Sequence, residues 1–205
     1  YYDATRSGVI AIMGRLTRPL IAGEKEKDKY KPLSDMEGVK AENLFNAPGG
    51  QALELTLVEG LLDSAILTAR GIPAAALGGS DLLDGQLSQA IRGGAQRFVL
   101  GLDNDPAGIE GTKAAVLKIW KAGRRAYVLT YPEGIKDADQ LIKAQGIEAF
   151  ETILAGKQLA AQWITRRVID EMPGADIYAI LDALRPLMIA ADPIDRHEIT
   201  AAARQ

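Results

Sequence analysis

The chain has 205 residues, 47% of them hydrophobic, enough for one medium domain with a real core plus a smaller attachment. It carries 24 basic against 27 acidic side chains, a net charge of −3, so no global field draws it to nucleic acid and any basic binding surface must be local. The absence of cysteine excludes disulfides and thiolate zinc sites, no stretch approaches the roughly 20 apolar residues of a membrane span, and no charged-then-apolar leader opens the chain.

Tyr1 stands first instead of Met, and the sequence runs out at AAARQ inside a helical pattern, so both ends read as cuts from something longer. Residues 1–50 are irregular: GVIAIMGRL reads as a strand, GEKEKDKYK as a charged loop and NAPGG as a turn-rich exit. From Gln51 the pattern becomes regular. LELTLV, IPAAAL, RFVLGL and RAYVLTY are apolar runs of strand length, separated by the helical segments LLDSAILTAR, DLLDGQLSQAIRGG and PAGIEGTKAAVLKIWKAG. Strands alternating with helices imply an α/β fold, a parallel sheet covered on both faces, with ligands beyond the carboxyl ends of the strands. After about Phe150 the chain reads as amphipathic helices, EAFETILAGKQLAAQWITRRVIDEM (148–172) and ADIYAILDALRPLMIAA (175–191), broken at MPG and ADP.

Carboxylates fall at one edge of that sheet. Glu59 follows LELTLV, Asp103 and Asp105 follow RFVLGL, and Asp137 and Asp139 follow RAYVLTY in GIKDADQLI. In a parallel sheet these ends lie side by side, and an extended turn would point Asp137 and Asp139 the same way. Gathered carboxylates repel, and divalent cations with oxygen ligands remove the repulsion. Such a site suits phosphoryl or nucleotidyl chemistry. Helix capping explains each carboxylate taken singly, because Asp and Glu favour helix N-termini; three strand ends in register are a coincidence that capping does not require. Asp63, one helical turn after Glu59, either joins the site or is an exposed helix-face residue. His197 reads as a surface residue, and Trp120 and Trp163 as core.

VEGLLD followed by LDNDPAG resembles the Toprim signature, a Glu-Gly after the first strand and an Asp-x-Asp after a later one. The flanks are similar to bacterial primases of the DnaG type: DNDPAG resembles their Asp-Gly-Asp-x-Ala-Gly, KDADQLIKAQG their Asp-x-Asp-x-Leu, and GVIAIMGRL, KDKYKPLS and GVKAENLFNAP their upstream motifs in order and spacing. Asn104 stands where those primases usually have Gly, Lys40 is followed by Ala, and LGGSDL with Ser80 replaces their Gly-rich turn, which suggests a divergent member.

The resemblance implies a primase catalytic core that synthesises short RNA primers on single-stranded DNA. It divides the chain into an N-terminal α+β subdomain with a basic template-binding surface (1–50), a Toprim catalytic domain (51–150) and a helical subdomain (151–205). Glu59, Asp103 and Asp105 become the catalytic centre for Mg²⁺ or Mn²⁺, with Asp137 and Asp139 serving a neighbouring metal or nucleotide phosphates; Asp63, from its helical spacing to Glu59, is a further candidate metal ligand. Arg15, Arg18, Lys29, Lys31 and Lys40 become candidates for holding template or nucleoside triphosphate, against the reading of a solvated charged tip. It also implies a cytoplasmic protein, a replicative helicase partner contacted through a region outside this sequence, and zinc only in a template-binding module likewise outside it. Two alternatives remain: another Toprim enzyme, topoisomerase or nuclease, and a non-catalytic Toprim-like binding module.

Overall fold

The computed structural model describes residues 12–15, 17, 21, 30–32, 39, 43–48 and 52–204; Arg18, Lys29 and Lys40 lie outside them. Near the N-terminus β1 (Met13–Arg15) pairs antiparallel with β2 (Tyr30–Pro32), Arg15 opposite Tyr30 and Gly14 opposite Lys31. The main sheet contains β3 (Glu54–Val58), β4 (Ala74–Ala76), β5 (Arg97–Leu100), β6 (Arg125–Val128) and β7 (Gln158–Leu159) in the order β4-β3-β5-β6-β7. β4, β3, β5 and β6 are parallel, as the four apolar runs predict, and β7 is antiparallel to β6.

The strands read as continuous apolar runs because both faces are buried. Leu55, Leu57, Phe98, Leu100, Ala126 and Val128 enter one core cluster, while Val58, Ala74, Ala76, Val99 and Leu129 enter the other. The first cluster takes in α2 (Asp84–Arg92), α3 (Pro106–Lys121), α6 (Ala160–Asp170), α7 (Ile177–Ala190) and α8 (Pro193–Ala202), through Leu87, Ile119, Ile164, Leu184 and Ile199. The second takes in α1 (Leu61–Ala69), α4 (Ala138–Gln145) and α5 (Ile147–Ala155), through Leu67, Leu141 and Phe150.

This segregation has a topological cause. From β3 the chain crosses outward through α1 to β4, then returns over β3 through α2 to β5, and continues in that direction through α3 to β6. Right-handed crossovers in opposite directions place α1 and α3 on opposite faces. The sheet therefore has its switch point between β3 and β5, where the two strand ends open into a crevice suited to a ligand.

One expected helix is interrupted. Residues 148–172 do not form a continuous helix: Gly156 ends α5, its N–H donating to the Thr152 carbonyl at 3.0 Å, and Gln158–Leu159 then pair with Val128 and Tyr127. The open edge of β6 supplies hydrogen-bond partners that the local helical pattern cannot register, and β7 covers that edge. At the opposite edge Phe45 bridges Ala76, with N–O distances of 3.0 and 2.9 Å. Two buried glutamines of α2 secure this segment. Gln89 accepts from the Leu44 N–H at 2.7 Å and donates to the Asn43 side chain at 3.1 Å, while Gln86 donates to the Leu77 carbonyl at 3.1 Å. Among the described residues no helix is long and apolar enough to cross a membrane.

Replacing Gln89 by Leu keeps the bulk but strands the buried Leu44 N–H, which costs about 1–3 kcal/mol. We expect the variant to unfold at lower denaturant and the Leu44 amide to exchange at least tenfold faster; wild-type protection of that amide would show that Gln89 does not hold the segment.

Candidate metal centre

Glu59 is the first residue beyond β3, and Asp103 lies three residues beyond β5. Because Leu57 is in register with Leu100, the two arrive together at the switch point, and Glu59 accepts from the Asp103 N–H at 3.1 Å. Asp105 caps α3, accepting from the Gly108 N–H at 3.0 Å, with Pro106 at the first helical position. Helix α3 meets the strand ends closely because Gly108 has no side chain. A Cβ there would stand 2.0 Å from the Asp103 carbonyl oxygen and 2.8 Å from the Glu59 carboxylate. One turn on, a Cβ at Gly111 would stand 2.2 Å from the Ser80 carbonyl oxygen, so the 78–80 turn is packed on helix backbone.

Asp137 and Asp139 do not share an extended turn. Asp137 caps α4, accepting from the Gln140 N–H at 2.8 Å, whereas Asp139 is already in the first helical turn and pairs with Lys143. The second group joins the first through Asp63. That residue is only 8% exposed, too buried for a solvated helix face, and it accepts from the Asp139 N–H at 2.9 Å.

Lys136 completes the arrangement. Its Nζ stands 3.1 Å from Asp103 and 3.1 Å from Asp105. Its loop is docked by the Asn104 N–H, which donates to the Lys136 carbonyl at 2.7 Å, and by the Gln140 side chain, which accepts from the Lys136 N–H at 2.7 Å. Tyr131, buried beneath, donates its hydroxyl to the Gly101 carbonyl at 3.0 Å and fixes the start of the β5 exit.

The charges are strained. Burial, then the negative charge of Asp103, pushes the Glu59 carboxyl up to about 7. Burial, then the charges of Asp137 and Asp139, pushes Asp63 up to about 7. Burial also raises Asp103, against the pull of Lys136. Asp105 moves down, because the Gly108 N–H and the Lys136 ammonium both favour its charged form. Lys136 is held well above the usual lysine range by the same two carboxylates. Among the described residues no three acidic or histidine side chains stand as a finished chelate. The donor set is nonetheless hard carboxylate oxygen, and an ammonium bridges the pair Asp103 and Asp105, so the residues fit a hard divalent cation.

Lys136 and Gly108 are the participants that carboxylate counting misses. Lys136 is adjacent to Asp137 in sequence and Gly108 follows Asp105 by one helical turn; both are visible once α3 and the β6 exit are known to converge. Arg15 lies in β1 and Lys31 in β2. His197 is exposed on α8, and Trp120 and Trp163 are buried in the core, as expected. The Arg167 guanidinium lies 5.5 Å from the centre of the Trp163 ring.

Residues 56–142 match the protein-family model described as Toprim-like, a span that contains every carboxylate of this site. The chain is similar to a DNA primase from Myxococcus xanthus, 28% identical over an alignment of 206 positions that covers 92% of this chain and 34% of that protein. It is similar in fold to the zinc-binding and RNA polymerase domains of the Aquifex aeolicus primase, with a TM-score of 0.74 at 22% identity, over 99% of this chain and 49% of that one. A DnaG primase catalytic domain bound to single-stranded DNA matches with a TM-score of 0.76 at 20% identity, over 98% of this chain and 67% of that one. The chain thus spans about a third of the Myxococcus protein and about half of the solved Aquifex chain. The resemblance to bacterial primases holds in sequence and in fold, and the mostly parallel sheet with helices on both faces is that of a DnaG catalytic core.

Two measurements test this geometry. Gly108→Ala must push α3 off the Asp103 carbonyl, so we expect a loss of about 1–3 kcal/mol in chemical denaturation; wild-type stability would show that the close approach is not enforced. Glu59 and Asp63 hold protons more tightly folded than unfolded, so their contribution to stability is greatest at low pH and is lost as pH rises towards about 7. In buffer free of divalent cations Tm should fall between about pH 5 and 7 and level off above that. Asp195, raised to about 6 by burial, adds to the slope, so the double variant Glu59→Gln, Asp63→Asn should flatten most of it and leave a remainder. An unchanged slope would remove both groups from the explanation.

Proposed function

We propose that this chain, a relative of bacterial primases with a Toprim-like portion at residues 56–142, is a primase catalytic core that joins ribonucleotides into short RNA primers on single-stranded DNA. The observation that carries this reading is the convergence of Glu59, Asp103 and Asp105 at the switch point of a DnaG-like sheet, with Asp63, Asp137 and Asp139 beside them.

Glu59, Asp103 and Asp105 would hold a Mg²⁺ or Mn²⁺ ion, and Asp137 and Asp139, steadied through Asp63, would hold a second ion or the cation of a nucleoside triphosphate. A divalent cation in such a site supplies Lewis-acid polarisation of the phosphate and neutralises developing charge. Four of the six carboxylates anchor themselves on main-chain amides: Glu59 on that of Asp103, Asp105 on that of Gly108, Asp137 on that of Gln140 and Asp63 on that of Asp139. Oxygens fixed this way need little reorganisation, which is the economy expected of electrostatic catalysis. The attacking group is the 3′-hydroxyl of the growing primer, the α-phosphate accepts it, and pyrophosphate leaves; no protein nucleophile is called for.

Residues 51–150 act as the catalytic domain, 151–205 as its helical support, and 1–50 as the template-binding portion. Arg15, Lys29, Lys31 and Lys40 neutralise template or triphosphate there, without reading sequence. A zinc module for the template and a contact with the replicative helicase belong to regions outside this sequence, and the reaction is a cytoplasmic one. DNA binding is supported by the single-stranded DNA held in a protein of the same fold.

The test is primer synthesis from labelled ribonucleotides on a single-stranded template with Mg²⁺ or Mn²⁺. Asp103→Asn with Asp105→Asn should lower it at least a hundredfold in a folded protein. Asp137→Asn with Asp139→Asn should lower it at least tenfold, although Asn caps α4 about as well as Asp. Full activity in the first pair would overturn the proposed centre. Cleavage or relaxation of DNA without primer synthesis would assign the site to a nuclease or topoisomerase, and binding without turnover to a non-catalytic module.

A further inference from the structure

We infer that Lys136 is the internal counter-cation of the Asp103–Asp105 pair, and that it sets the affinity for a divalent cation because the cation must displace it. The inference rests on the metal-centre reading above and deepens it. Lys136 does not lie against the pair by chance of a long side chain. The 3.1 Å ion pairs with Asp103 and Asp105 are made from a loop fixed at three backbone points. The Asn104 N–H donates to the Lys136 carbonyl, the Gln140 carboxamide accepts from the Lys136 N–H, and the same carboxamide donates to the Gly134 carbonyl at 3.3 Å. The loop that bears the ammonium is thus tied both to the loop that bears the carboxylates and to the first turn of α4.

The arrangement leaves room for exchange. Asp105 caps α3 with Oδ1 and meets Lys136 with Oδ2, so losing the lysine does not uncap the helix. Asp103 likewise meets Lys136 through Oδ2. The Lys136 side chain is 53% exposed, so its ammonium can swing into water without carrying its backbone with it. Asn104, Asp105, Gly134, Ile135 and Lys136 line an open depression beside the pair, into which the chain can withdraw. A divalent ion brings twice the charge and accepts several oxygens, so it outcompetes one ammonium for the same two oxygens, although both ion pairs of the lysine must break first. Exchange costs affinity in proportion to how well the lysine satisfies the pair.

The experiment is Mn²⁺ titration at pH 8, followed by electron paramagnetic resonance of the free ion and by calorimetry, on the wild type, Lys136→Met and Lys136→Arg. Lys136→Met should bind roughly tenfold more tightly, because no cation need leave. Its Mn²⁺-free Tm should fall and its Mn²⁺-induced rise in Tm should exceed that of the wild type. Lys136→Arg keeps the charge and offers a bidentate fork to two carboxylates, so its affinity should equal the wild type's or be weaker. Unchanged or weaker binding by Lys136→Met, or tightening by Lys136→Arg to the same extent, would overturn the inference. Asp103→Asn with Asp105→Asn separates the two levels: if that variant binds Mn²⁺ as the wild type does, the metal centre itself is misassigned, whatever Lys136 does.

Discussion

Negative charge gathered where strand ends meet is the constraint on which the rest of this structure depends. Several carboxylates in one partly buried place repel one another and resist leaving water, and Glu59 and Asp63 register both effects by holding protons up to about 7. The fold tolerates them by aiming backbone N–H groups at them. Those amides are available only because neighbouring elements arrive in a fixed relation: Leu57 in register with Leu100 delivers Glu59 to the Asp103 amide, and α1 beside the start of α4 delivers Asp63 to the Asp139 amide. The parallel register, the reversal of winding between β3 and β5, and the bare backbone of Gly108 are conditions for that delivery.

Much of this was legible in the sequence because a parallel sheet covered on both sides writes itself as plain apolar runs between helical segments. LELTLV, IPAAAL, RFVLGL and RAYVLTY became β3 to β6, and the carboxylates that follow three of them share one edge. The features that escaped depend on partners distant in the chain. Gln158–Leu159 look helical until the open edge of β6 is present to pair with them. Gln86 and Gln89 look like exposed helix residues until Leu44 and Leu77 bring buried backbone groups to them. Asp139 looks extended beside Asp137 because sequence spacing alone does not say that α4 has already begun. Lys136 escaped for another reason: a lysine next to an aspartate reads as a solvated pair, and only the approach of the β5 and β6 exits turns it towards Asp103 and Asp105.

Helix capping and metal binding looked like rival explanations of the same carboxylates, and the geometry removes the rivalry. A carboxylate has two oxygens. In Asp105, Oδ1 accepts the Gly108 N–H while Oδ2 takes the ammonium of Lys136, so the residue satisfies the helix and still presents charge to the crevice. The cap then does more than stabilise α3: it fixes the rotamer that presents the second oxygen, and the positive end of the helix lowers the proton affinity of the group. The same economy lets carboxylates, with no histidine or cysteine among them, present oriented charge to the crevice. Orientation comes from the main chain and charge from the side chains; under the proposed metal centre, the balance of the two would be set by which cation, ammonium or divalent metal, occupies the remaining oxygens. A net charge of −3 supplies no global attraction for a polyanion, so any such attraction must come from local fields. Under the proposed function, the acidic crevice would attract a phosphate only after its own charge has been answered.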